Sequence, residues 1–472
     1  MVTVGQLLAI TGGQLLQGAP ETVAASVTTD SRAVDAGAAF FALSGERFDG
    51  HAYAAAAAQQ GAVCVVAAKT VAVPSETAVI QVSDVLAAYQ QVAAWHRRQF
   101  AIPVIAITGS NGKTSTKELI ATVLQTHLAV LKTQGNFNNE IGLPKTLLQL
   151  NEQHEAAVVE MGMRQLGEIR LLAKIANPTI GVVTNVGETH IERLGSIENI
   201  ARAKQELVEN LSADSLAVLN GDDAYVRKMA PAASGRVVFY GEAADCDFRL
   251  LTYELRAFDS VFSWQEKEGP VYQATLPIPG KHQLLNALAA IAVARYVGMA
   301  PAAINQALAQ ASLGDLRQQL LTYGDLRVLN DAYNASPLSM AAALELLTVV
   351  GASSRRVALL GDMLELGETA ARAHREVGQK AAACGVVVLA AVGEFAPFVV
   401  QGAQAAGLAN CAAFGDKAAA WQWLAPQLAA QDLVLLKGSR GLQMETFLPL
   451  FSARLLDNCQ NEPLAGLEGG AV

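Results

Sequence analysis

The stretch from Val104 to Leu128 constrains the fold more than any other part of this 472-residue chain. An apolar run, Val104 to Ile107, leads into the octapeptide TGSNGKTS at residues 108–115, and an amphipathic pattern follows from Lys113 to Leu128. This order predicts a buried strand, a glycine-rich loop and a helix, which is the arrangement of a phosphate-binding loop. A chance glycine turn before a helix is the alternative. The loop has the short spacing GxxGKT, because Ile107 stands where the longer pattern has its first glycine.

The residue types in this loop predict a nucleoside triphosphate and Mg²⁺ as ligands. Gly109 and Gly112 allow backbone N–H groups to close around phosphate oxygens. Lys113 places a positive charge against the terminal phosphates, and the hydroxyl of Thr114 is a suitable Mg²⁺ ligand.

Two other candidate residues follow predicted strands. Glu160 closes the run AAVVEMG, and His190 follows TIGVVTNVGETH. Open α/β sheets bind ligands at the carboxyl ends of their strands, so both side chains are candidates for the site that holds Lys113 and Thr114. Mg²⁺ prefers oxygen ligands, which suits Glu160 better than His190. Taken alone, a solvated carboxylate and an ordinary polar histidine remain the alternatives.

Composition narrows the class of protein. The formal net charge is −9, charged residues make up 16% of the chain and no basic cluster occurs, which argues against nucleic acid as a partner. The five cysteines are scattered without a CxxC pair, so they predict neither a zinc site nor a disulfide framework. The longest apolar runs, such as Val386 to Val392, are too short to span a membrane. Without a charged leader and apolar core at its start, a cytoplasmic protein is the expectation.

The length predicts about three domains, and apolar β-branched runs that alternate with helical patterns favour an α/β fold with largely parallel sheets. We predict domains at 1–102, 103–314 and 315–472. The predicted helices are Val4 to Leu16, His51 to Gly61, Val85 to Phe100, Ile197 to Glu209 and His282 to Val297. A β-rich insert is predicted near Arg236 to Pro279. The C-terminal strand candidates are RVLND, RRVALLGD, VVVLAAVG and DLVLLKGS, and the chain is expected to fray from about Asn458.

Segments along nearly the whole chain resemble the Mur ligase family. They are DSRAVDAGAAFFAL, GERFDGH, TGSNGKTSTKE, TQGNFNNEIGLP, VVEMGMRQLGEI, TNVGETHIERLGSIENIARAKQEL, GKHQLLNALAA, NDAYNASPLSM, LLGDMLELG and LKGSRGLQME. The resemblance implies a UDP-substrate-binding N-terminal domain, a central ATP-binding domain with a P-loop ATPase-like parallel sheet, and a Rossmann-like C-terminal domain. It also implies ATP-dependent amide ligation through an acyl phosphate, with UDP-N-acetylmuramoyl-tripeptide and D-alanyl-D-alanine as substrates. A monomer is expected.

The same resemblance assigns residues to each ligand. The positions that match the UDP site are Ser31, Arg32, Asp49, Gly50 and His51. Those that match the ATP site are Thr108, Gly109, Ser110, Asn111, Gly112, Lys113 and Thr114, with Asn286 near the adenine and Asp331 facing the ribose. Those that match the loop at the γ-phosphate and the reacting carboxylate are Asn136, Asn138 and Asn139, while Asn334 belongs to a C-terminal substrate loop. The alternative for Asn136, Asn138 and Asn139 is a polar turn with only a structural role.

Two Mg²⁺ ions are implied, one near Thr114 and Glu160 and one near His190. Lys204 matches a lysine that CO₂ carbamylates in this family, which turns a cation into an anionic ligand of the second ion. From the residues alone, Lys204 is a solvated lysine paired with a carboxylate one helical turn away. The implied catalytic residues are thus Lys113, Glu160, His190 and Lys204.

Two basic C-terminal features carry further expectations. Lys437, Ser439 and Arg440 are candidates to anchor a substrate carboxylate, with a solvated basic turn as the alternative. Arg317 is a candidate match for the arginine at the entrance to the C-terminal domain in this family.

Three other functions stay open at this point. A sister ligase that adds meso-diaminopimelate or lysine shares the core, although the Asp-Asn-Pro-Arg motif of the diaminopimelate enzymes is absent here. A folylpolyglutamate synthase shares the phosphate loop without the first-domain segments. A P-loop switch protein would hydrolyse ATP without an amine acceptor. The sequence also leaves open the third residue of the tripeptide and the general base.

Overall fold

The computed structural model describes residues 1–45, 48–312, 314 and 316–461, and within them it has three main β-sheets with helices on their faces. The predicted α/β class with largely parallel sheets is confirmed. Among these residues, no helix is long and apolar enough to cross a bilayer. The predicted domain boundaries stay predictions, and Asp315 lies outside the described residues.

The N-terminal sheet has five strands. In spatial order they are Gln14–Gln17, Ala78–Gln81, Cys64–Ala67, Ala38–Phe41 and Ser26–Thr28, with only the first pair antiparallel. Its helices are Val4–Thr11, Ala54–Gln59 and Val85–Arg97, with a 3₁₀ turn at Gly50–Tyr53. The prediction of one helix from Val4 to Leu16 is wrong. Gly12 takes a left-handed φ of 63° and ends the helix, after which the chain becomes an edge strand.

The central sheet has nine strands. In spatial order they are Val130–Lys132, Ala156–Glu160, Val104–Thr108, Ile180–Val183, Leu216–Asn220, Arg236–Gly241, Phe248–Leu255, Ser260–Glu266 and Val271–Leu276. The strands are parallel as far as Phe248–Leu255, and the last two are antiparallel. The β-rich segment near Arg236 to Pro279 therefore continues this sheet rather than forming a separate insert. The helices are Lys113–Leu124, Gly142–Leu147, Glu168–Ala176, Ile191–Leu194, Ile197–Glu209, Ala224–Arg227, Lys281–Tyr296 and Pro301–Leu308.

The C-terminal sheet has six strands. In spatial order they are Gln319–Tyr323, Leu326–Asn330, Leu433–Lys437, Arg356–Gly361, Val386–Val392 and Cys411–Phe414. All four predicted strands are present, and the two edge strands were not predicted. The helices are Pro337–Val350, Ala370–Ala383, Ala396–Ala405, Lys417–Leu424 and Leu448–Asn461. The last helix runs past Asn458, and residues 462–472, where fraying was also expected, lie outside the described residues.

The strand Val104–Thr108 is buried on both faces of the central sheet. Ile105 and Ile107 face a core that includes the helix Lys281–Tyr296, whereas Val104 and Ala106 face the opposite core. This alternation explains why the run is apolar throughout, as expected for a strand covered by helices on both sides. Its carboxyl end opens directly into the glycine-rich loop, between the ends of Ala156–Glu160 and Ile180–Val183.

Candidate active site

The glycine-rich loop needs its two glycines for steric reasons. Gly109 has a φ of 152° and Gly112 a φ of 82°, which side-chain-bearing residues rarely adopt. A Cβ on Gly109 would lie 1.8 Å from Oγ1 of Thr184, and one on Gly112 would lie 2.8 Å from Oδ1 of Asn286. The loop therefore packs closely against both a neighbouring strand end and the helix Lys281–Tyr296.

Residues of the strand end after Val183 hold the loop in place. The backbone N–H of Asn111 donates to Oδ1 of Asn185 (2.9 Å), and the carbonyl of Asn111 accepts from Oγ1 of Thr184 (2.6 Å). Nδ2 of Asn111 is buried and has no hydrogen-bond partner among the described residues. Buried polar groups are rarely left unpaired, so an amide donor at the start of a helix fits an anionic ligand such as phosphate.

Lys113 folds back onto the loop that precedes it. Its Nζ donates to the carbonyls of Gly109 (2.8 Å) and Ser110 (3.3 Å). Burial lowers the pKa of Lys113, Glu160 opposes this effect, and the nearby cation of Arg317 adds to it. Lys113 has no direct carboxylate partner among the described residues. Its cationic form is therefore stabilised when an anion approaches, which suits the site to phosphate.

Thr114, Glu160 and Asn138 form the polar centre of the site. Oγ1 of Thr114 donates to one carboxylate oxygen of Glu160 (2.8 Å), and Nδ2 of Asn138 donates to the other (2.8 Å). Glu160 is only 3% exposed, and its backbone N–H donates to Oγ1 of Thr133 (3.0 Å). Sequence reasoning placed Thr114 and Glu160 at one sheet edge, and the structure brings them into contact.

The donor set fits Mg²⁺ if the metal takes its other ligands from phosphate and water. The described residues include no group of three or more His, Cys, Asp or Glu side chains able to hold a metal by themselves. The hydroxyl of Thr114 and the carboxylate of Glu160 supply two adjacent hard oxygen ligands. Mg²⁺ is commonly bound in this way, through one or two carboxylates together with substrate phosphates and waters.

The three asparagines of the loop differ in position. Only Asn138 contacts Glu160. Oδ1 of Asn139 accepts from the backbone N–H of Gly142 (2.9 Å), the first residue of the helix Gly142–Leu147. The carbonyl of Asn136 accepts from the backbone N–H of Asn138 (2.7 Å), and Asn136 is exposed.

Lys204 and His190 lie near Lys113. Lys204 is 2% exposed on the helix Ile197–Glu209 and makes no hydrogen bond or ion pair with the described residues, so its interpretation as a solvated, paired lysine is wrong. Burial, together with the nearby charge of Lys113, holds the pKa of Lys204 well below its ordinary value. His190 contacts the carboxylate of Glu365 through Nδ1. Burial lowers the pKa of His190, and the nearby cations of Lys113 and Lys204 lower it further. The carboxylate of Glu365 has the opposite effect and raises this pKa.

A chain of amides connects the loop helix to the C-terminal residues. Oγ1 of Thr116 donates to Oδ1 of Asn286 (3.1 Å), whose Nδ2 donates to Oε1 of Gln283 (3.0 Å). Nε2 of Gln283 donates to Oε1 of Gln318 (2.9 Å), and Gln318 also contacts His282 at 2.5 Å. Both ends of the Asn286 amide are therefore engaged beside Gly112.

The C-terminal residues approach the loop directly. One guanidinium nitrogen of Arg317 donates to Oγ1 of Thr114 (2.9 Å), and this guanidinium lies 3.8 Å from the ring centroid of Tyr333. Ser336 caps the helix Pro337–Val350 and also donates to Oδ1 of Asn111 (2.7 Å). These contacts close the C-terminal domain against the nucleotide loop.

Lys437 does not match its predicted role as a free anchor for a substrate carboxylate. Its side chain is 3% exposed, and its Nζ pairs with the carboxylate of Asp331 at 2.5 Å and donates to the carbonyl of Asn334 at 2.9 Å. Oγ of Ser439 is used as well, because it accepts from the backbone N–H of Leu364 (2.9 Å). Only Arg440, which is half-exposed and paired with Glu445, remains accessible to a ligand.

The first-domain residues lie at the N-terminal sheet. Arg32 is 87% exposed and pairs with Asp30 (2.8 Å), which lowers the pKa of Asp30 to about 2. Asp49 accepts from Lys69 and from Nδ1 of His51, both at 2.6 Å. Nε2 of His51 accepts from the backbone N–H of Ala68 (2.9 Å), which fixes the imidazole tautomer.

Two neighbours of this N-terminal group complete its description. A Cβ on Gly50 would lie 2.4 Å from the carbonyl oxygen of Leu43, so only glycine fits there. Ser31 is half-buried beside the exposed Arg32.

Sequence reasoning missed Thr133, Asn185 and Glu365. Asn185 lies two residues after the strand Ile180–Val183, so the rule that ligands gather at carboxyl ends of strands would have found it. Thr133 likewise follows the short strand Val130–Lys132. Glu365 reaches His190 from 175 residues away, and no local pattern indicates such a contact.

Comparison with known proteins agrees with this architecture. Three family models cover most of the chain: a Mur ligase family catalytic domain at residues 24–105, a Mur ligase middle domain at 107–294 and a Mur ligase glutamate ligase domain at 316–440. The UDP-N-acetylmuramoyl-tripeptide–D-alanyl-D-alanine ligase of Bacillus subtilis is 38% identical over 428 residues, which cover 90% of this chain and 92% of that protein.

Solved structures agree as well. A MurF crystal structure from Acinetobacter baumannii superposes with a TM-score of 0.89 at 32% identity, covering 96% of this chain and 99% of that one. The MurF ligase of Thermotoga maritima in complex with ADP has a TM-score of 0.83 at 27% identity, covering 93% and 99% of the two chains. With its three-domain fold and its phosphate-binding loop, the chain belongs to the Mur ligase family.

Proposed function

We propose that this chain joins D-alanyl-D-alanine to UDP-N-acetylmuramoyl-tripeptide with ATP as the energy source, in cytoplasmic peptidoglycan precursor synthesis. The contact of Thr114, Glu160 and Asn138 at the end of the phosphate loop carries this proposal, because it gathers metal-binding oxygens beside Lys113. The substrate assignment draws on the Bacillus subtilis relative, whose name states both substrates. The use of ATP draws on the ADP complex of the Thermotoga maritima ligase.

The chemistry follows from the difficulty of forming an amide from a carboxylate. The γ-phosphoryl group of ATP passes to the terminal carboxylate of the tripeptide, which gives an acyl phosphate and ADP. The amine of D-alanyl-D-alanine then attacks the carbonyl carbon and loses a proton, the bond from that carbon to the phosphate-bearing oxygen breaks, and phosphate leaves. Lys113 and the loop N–H groups stabilise the charge on the transferred phosphoryl group.

Thr114 and Glu160 would hold one Mg²⁺, and His190 with carbamylated Lys204 would hold a second. When bound, Mg²⁺ neutralises charge on the phosphate oxygens and orients them. Asn138 fixes the orientation of Glu160 through its hydrogen bond. Arg317 brings a further cation to the hydroxyl of Thr114 from the C-terminal side.

Carbamylation of Lys204 agrees with its surroundings. Only the neutral amine attacks CO₂, and burial lowers the pKa of Lys204, so the neutral form is favoured. The attack forms a nitrogen–carbon bond, one proton leaves to solvent, and the product is a carbamate anion. In its cationic form Lys204 would add to the charges of Lys113 and Arg317 and repel a metal ion.

The remaining proposed residues would bind the UDP substrate and the nucleoside of ATP. The exposed guanidinium of Arg32 is available to the UDP diphosphate. Ser31 and the turn 49–51 are proposed to bind the same substrate. Asn136 and Asn139 remain proposals for the reacting end of the tripeptide, as does Asn334, whose Oδ1 is 3.4 Å from the backbone nitrogen of Arg440. Asn286 and Asp331 are proposed to border the adenine and the ribose. We also propose a monomer, with functional domains at 1–102, 103–314 and 315–472.

The acyl phosphate can be tested with isotope-labelled substrate. If the terminal carboxylate of UDP-N-acetylmuramoyl-tripeptide carries ¹⁸O, amide formation by the proposed route transfers one ¹⁸O atom to the released phosphate. Mass spectrometry of the phosphate and of the UDP-linked product follows both atoms. Released phosphate without ¹⁸O would contradict the acyl phosphate, and ATP hydrolysis without an amide product would support the switch-protein alternative.

A further inference from the structure

Glu365 provides a carboxylate contact to His190 from the C-terminal domain. Nδ1 of His190 lies at hydrogen-bond distance from the carboxylate of Glu365, and both residues have left-handed backbones, with φ of 59° and 62°. The backbone N–H of Glu192 also reaches the carbonyl of Glu365 at 3.3 Å. The two turns are therefore joined by backbone and side-chain contacts.

An ion pair also joins the same two segments. The guanidinium of Arg372 donates to both carboxylate oxygens of Glu188 at 3.0 Å. Gly367 packs on Glu192, where an added Cβ would lie 3.3 Å from its backbone. The segment 188–192 is thus held by C-terminal residues at several points, and among the described residues only Glu365 makes a hydrogen bond with the imidazole of His190.

The contact determines which imidazole nitrogen is free. A carboxylate is an acceptor only, so in a neutral imidazole the proton sits on Nδ1 and Nε2 keeps its lone pair. Nε2 of His190 makes no hydrogen bond to a described residue. Metal-bound histidines usually have this arrangement, with the second ring nitrogen donating to a carboxylate that fixes both tautomer and ring orientation.

We propose that Glu365 is a positioning residue for His190, so that closure of the C-terminal domain prepares the imidazole to bind a metal through Nε2. This rests on the proposed function for the metal at His190. The new element is that Glu365, a residue of a different domain, holds the metal-binding imidazole of His190 in place. An open enzyme would lack the carboxylate and hold His190 less well.

The test compares Glu365→Ala with Arg372→Ala. ¹⁵N NMR of histidine-labelled protein at about pH 8, above the ordinary histidine pKa of about 6.5, reports the tautomer. A His190→Gln spectrum assigns the resonance. We expect the Nδ1–H tautomer in the native protein and in Arg372→Ala, and a shift towards Nε2–H in Glu365→Ala. This readout needs neither substrate nor turnover, so it can fail while the ligase activity is confirmed.

A second readout is Mn²⁺ affinity, measured by electron paramagnetic resonance with ADP and phosphate present. Loss of a carboxylate behind a metal-bound histidine weakens metal affinity about 10- to 100-fold. Loss of a partly exposed ion pair costs only about 0–1 kcal/mol, so Arg372→Ala should weaken the affinity for Mn²⁺ less than about fivefold. An Nε2–H tautomer in the native protein, or equal losses of affinity in the two variants, would overturn the proposal.

Discussion

Asn138→Ala tests whether the orientation of Glu160 controls catalysis. Asn138 supplies one of the two side-chain hydrogen bonds to this buried carboxylate, at 2.8 Å, and its own amide packs on Gly162. A hydrogen bond to a charged group contributes about 1.5–3 kcal/mol. Since about 1.4 kcal/mol corresponds to a tenfold change in rate, kcat/KM for ATP should fall roughly 10- to 150-fold. Steady-state phosphate release with both co-substrates saturating measures this.

Two further variants sharpen the prediction. Asn138→Asp has nearly the same shape but places a second carboxylate against Glu160, so it should be less active than Asn138→Ala. Asn210→Ala removes a comparable side-chain hydrogen bond, to the carbonyl of Glu206 at 2.7 Å, and should keep the native kcat/KM. If Asn138→Asp were as active as the native enzyme, or if Asn210→Ala lost as much activity as Asn138→Ala, the reasoning would be refuted.

Three other predictions concern the ionisable groups of the site. Lys204→Ala should abolish ligation and regain part of it with added short carboxylates, and CO₂-free buffer should slow the native enzyme; an active Lys204→Ala in ordinary buffer would sink the carbamate. Lys113→Ala should stop ATP turnover while isothermal titration still detects binding of the UDP substrate, and loss of both would show that the domains are misassigned. Burial lowers the pKa of His282 to about 4 from 6.5. Between pH 6.5 and pH 4, His282 is protonated in the unfolded chain but stays neutral in the folded chain. The free energy of unfolding therefore falls as the pH drops from 6.5 to 4, by up to about 3 kcal/mol. The Tm of His282→Gln should fall less across that window, and parallel curves would contradict this.

Local patterns correctly predicted the strand, loop and helix around Gly109 and Gly112. The strand Val104–Thr108, the loop glycines and the helix that begins at Lys113 form one continuous segment. Their conformations therefore depend mainly on residues that are close in the sequence. The position of Glu160 at a strand end was predicted as well, and its role as a metal ligand stays a prediction. The wrong helix from Val4 to Leu16 also has a local cause, because Gly12 and Gly13 were a stop signal that the apolar pattern masked.

Contacts between residues distant in the sequence were not predictable in the same way. The pairing of Lys437 with Asp331 within the C-terminal domain, and that of Glu365 with His190 between domains, depend on how distant strands and turns pack together. A lysine after a strand has the same local sequence whether it binds a ligand or pairs with a buried aspartate. Burial of Lys204 likewise follows from the packing of the helix Ile197–Glu209. The amphipathic pattern of this helix did not show that Lys204 lies on its buried face.

The most direct test of the proposed activity is phosphate release from ATP with UDP-N-acetylmuramoyl-tripeptide present. D-alanyl-D-alanine, D-alanine, meso-diaminopimelate and L-glutamate are offered as separate amine donors, with and without the UDP substrate. Release that requires both the UDP substrate and D-alanyl-D-alanine is the predicted result. Release that requires a different amine, or that is the same with every amine and with none, would contradict the proposed function.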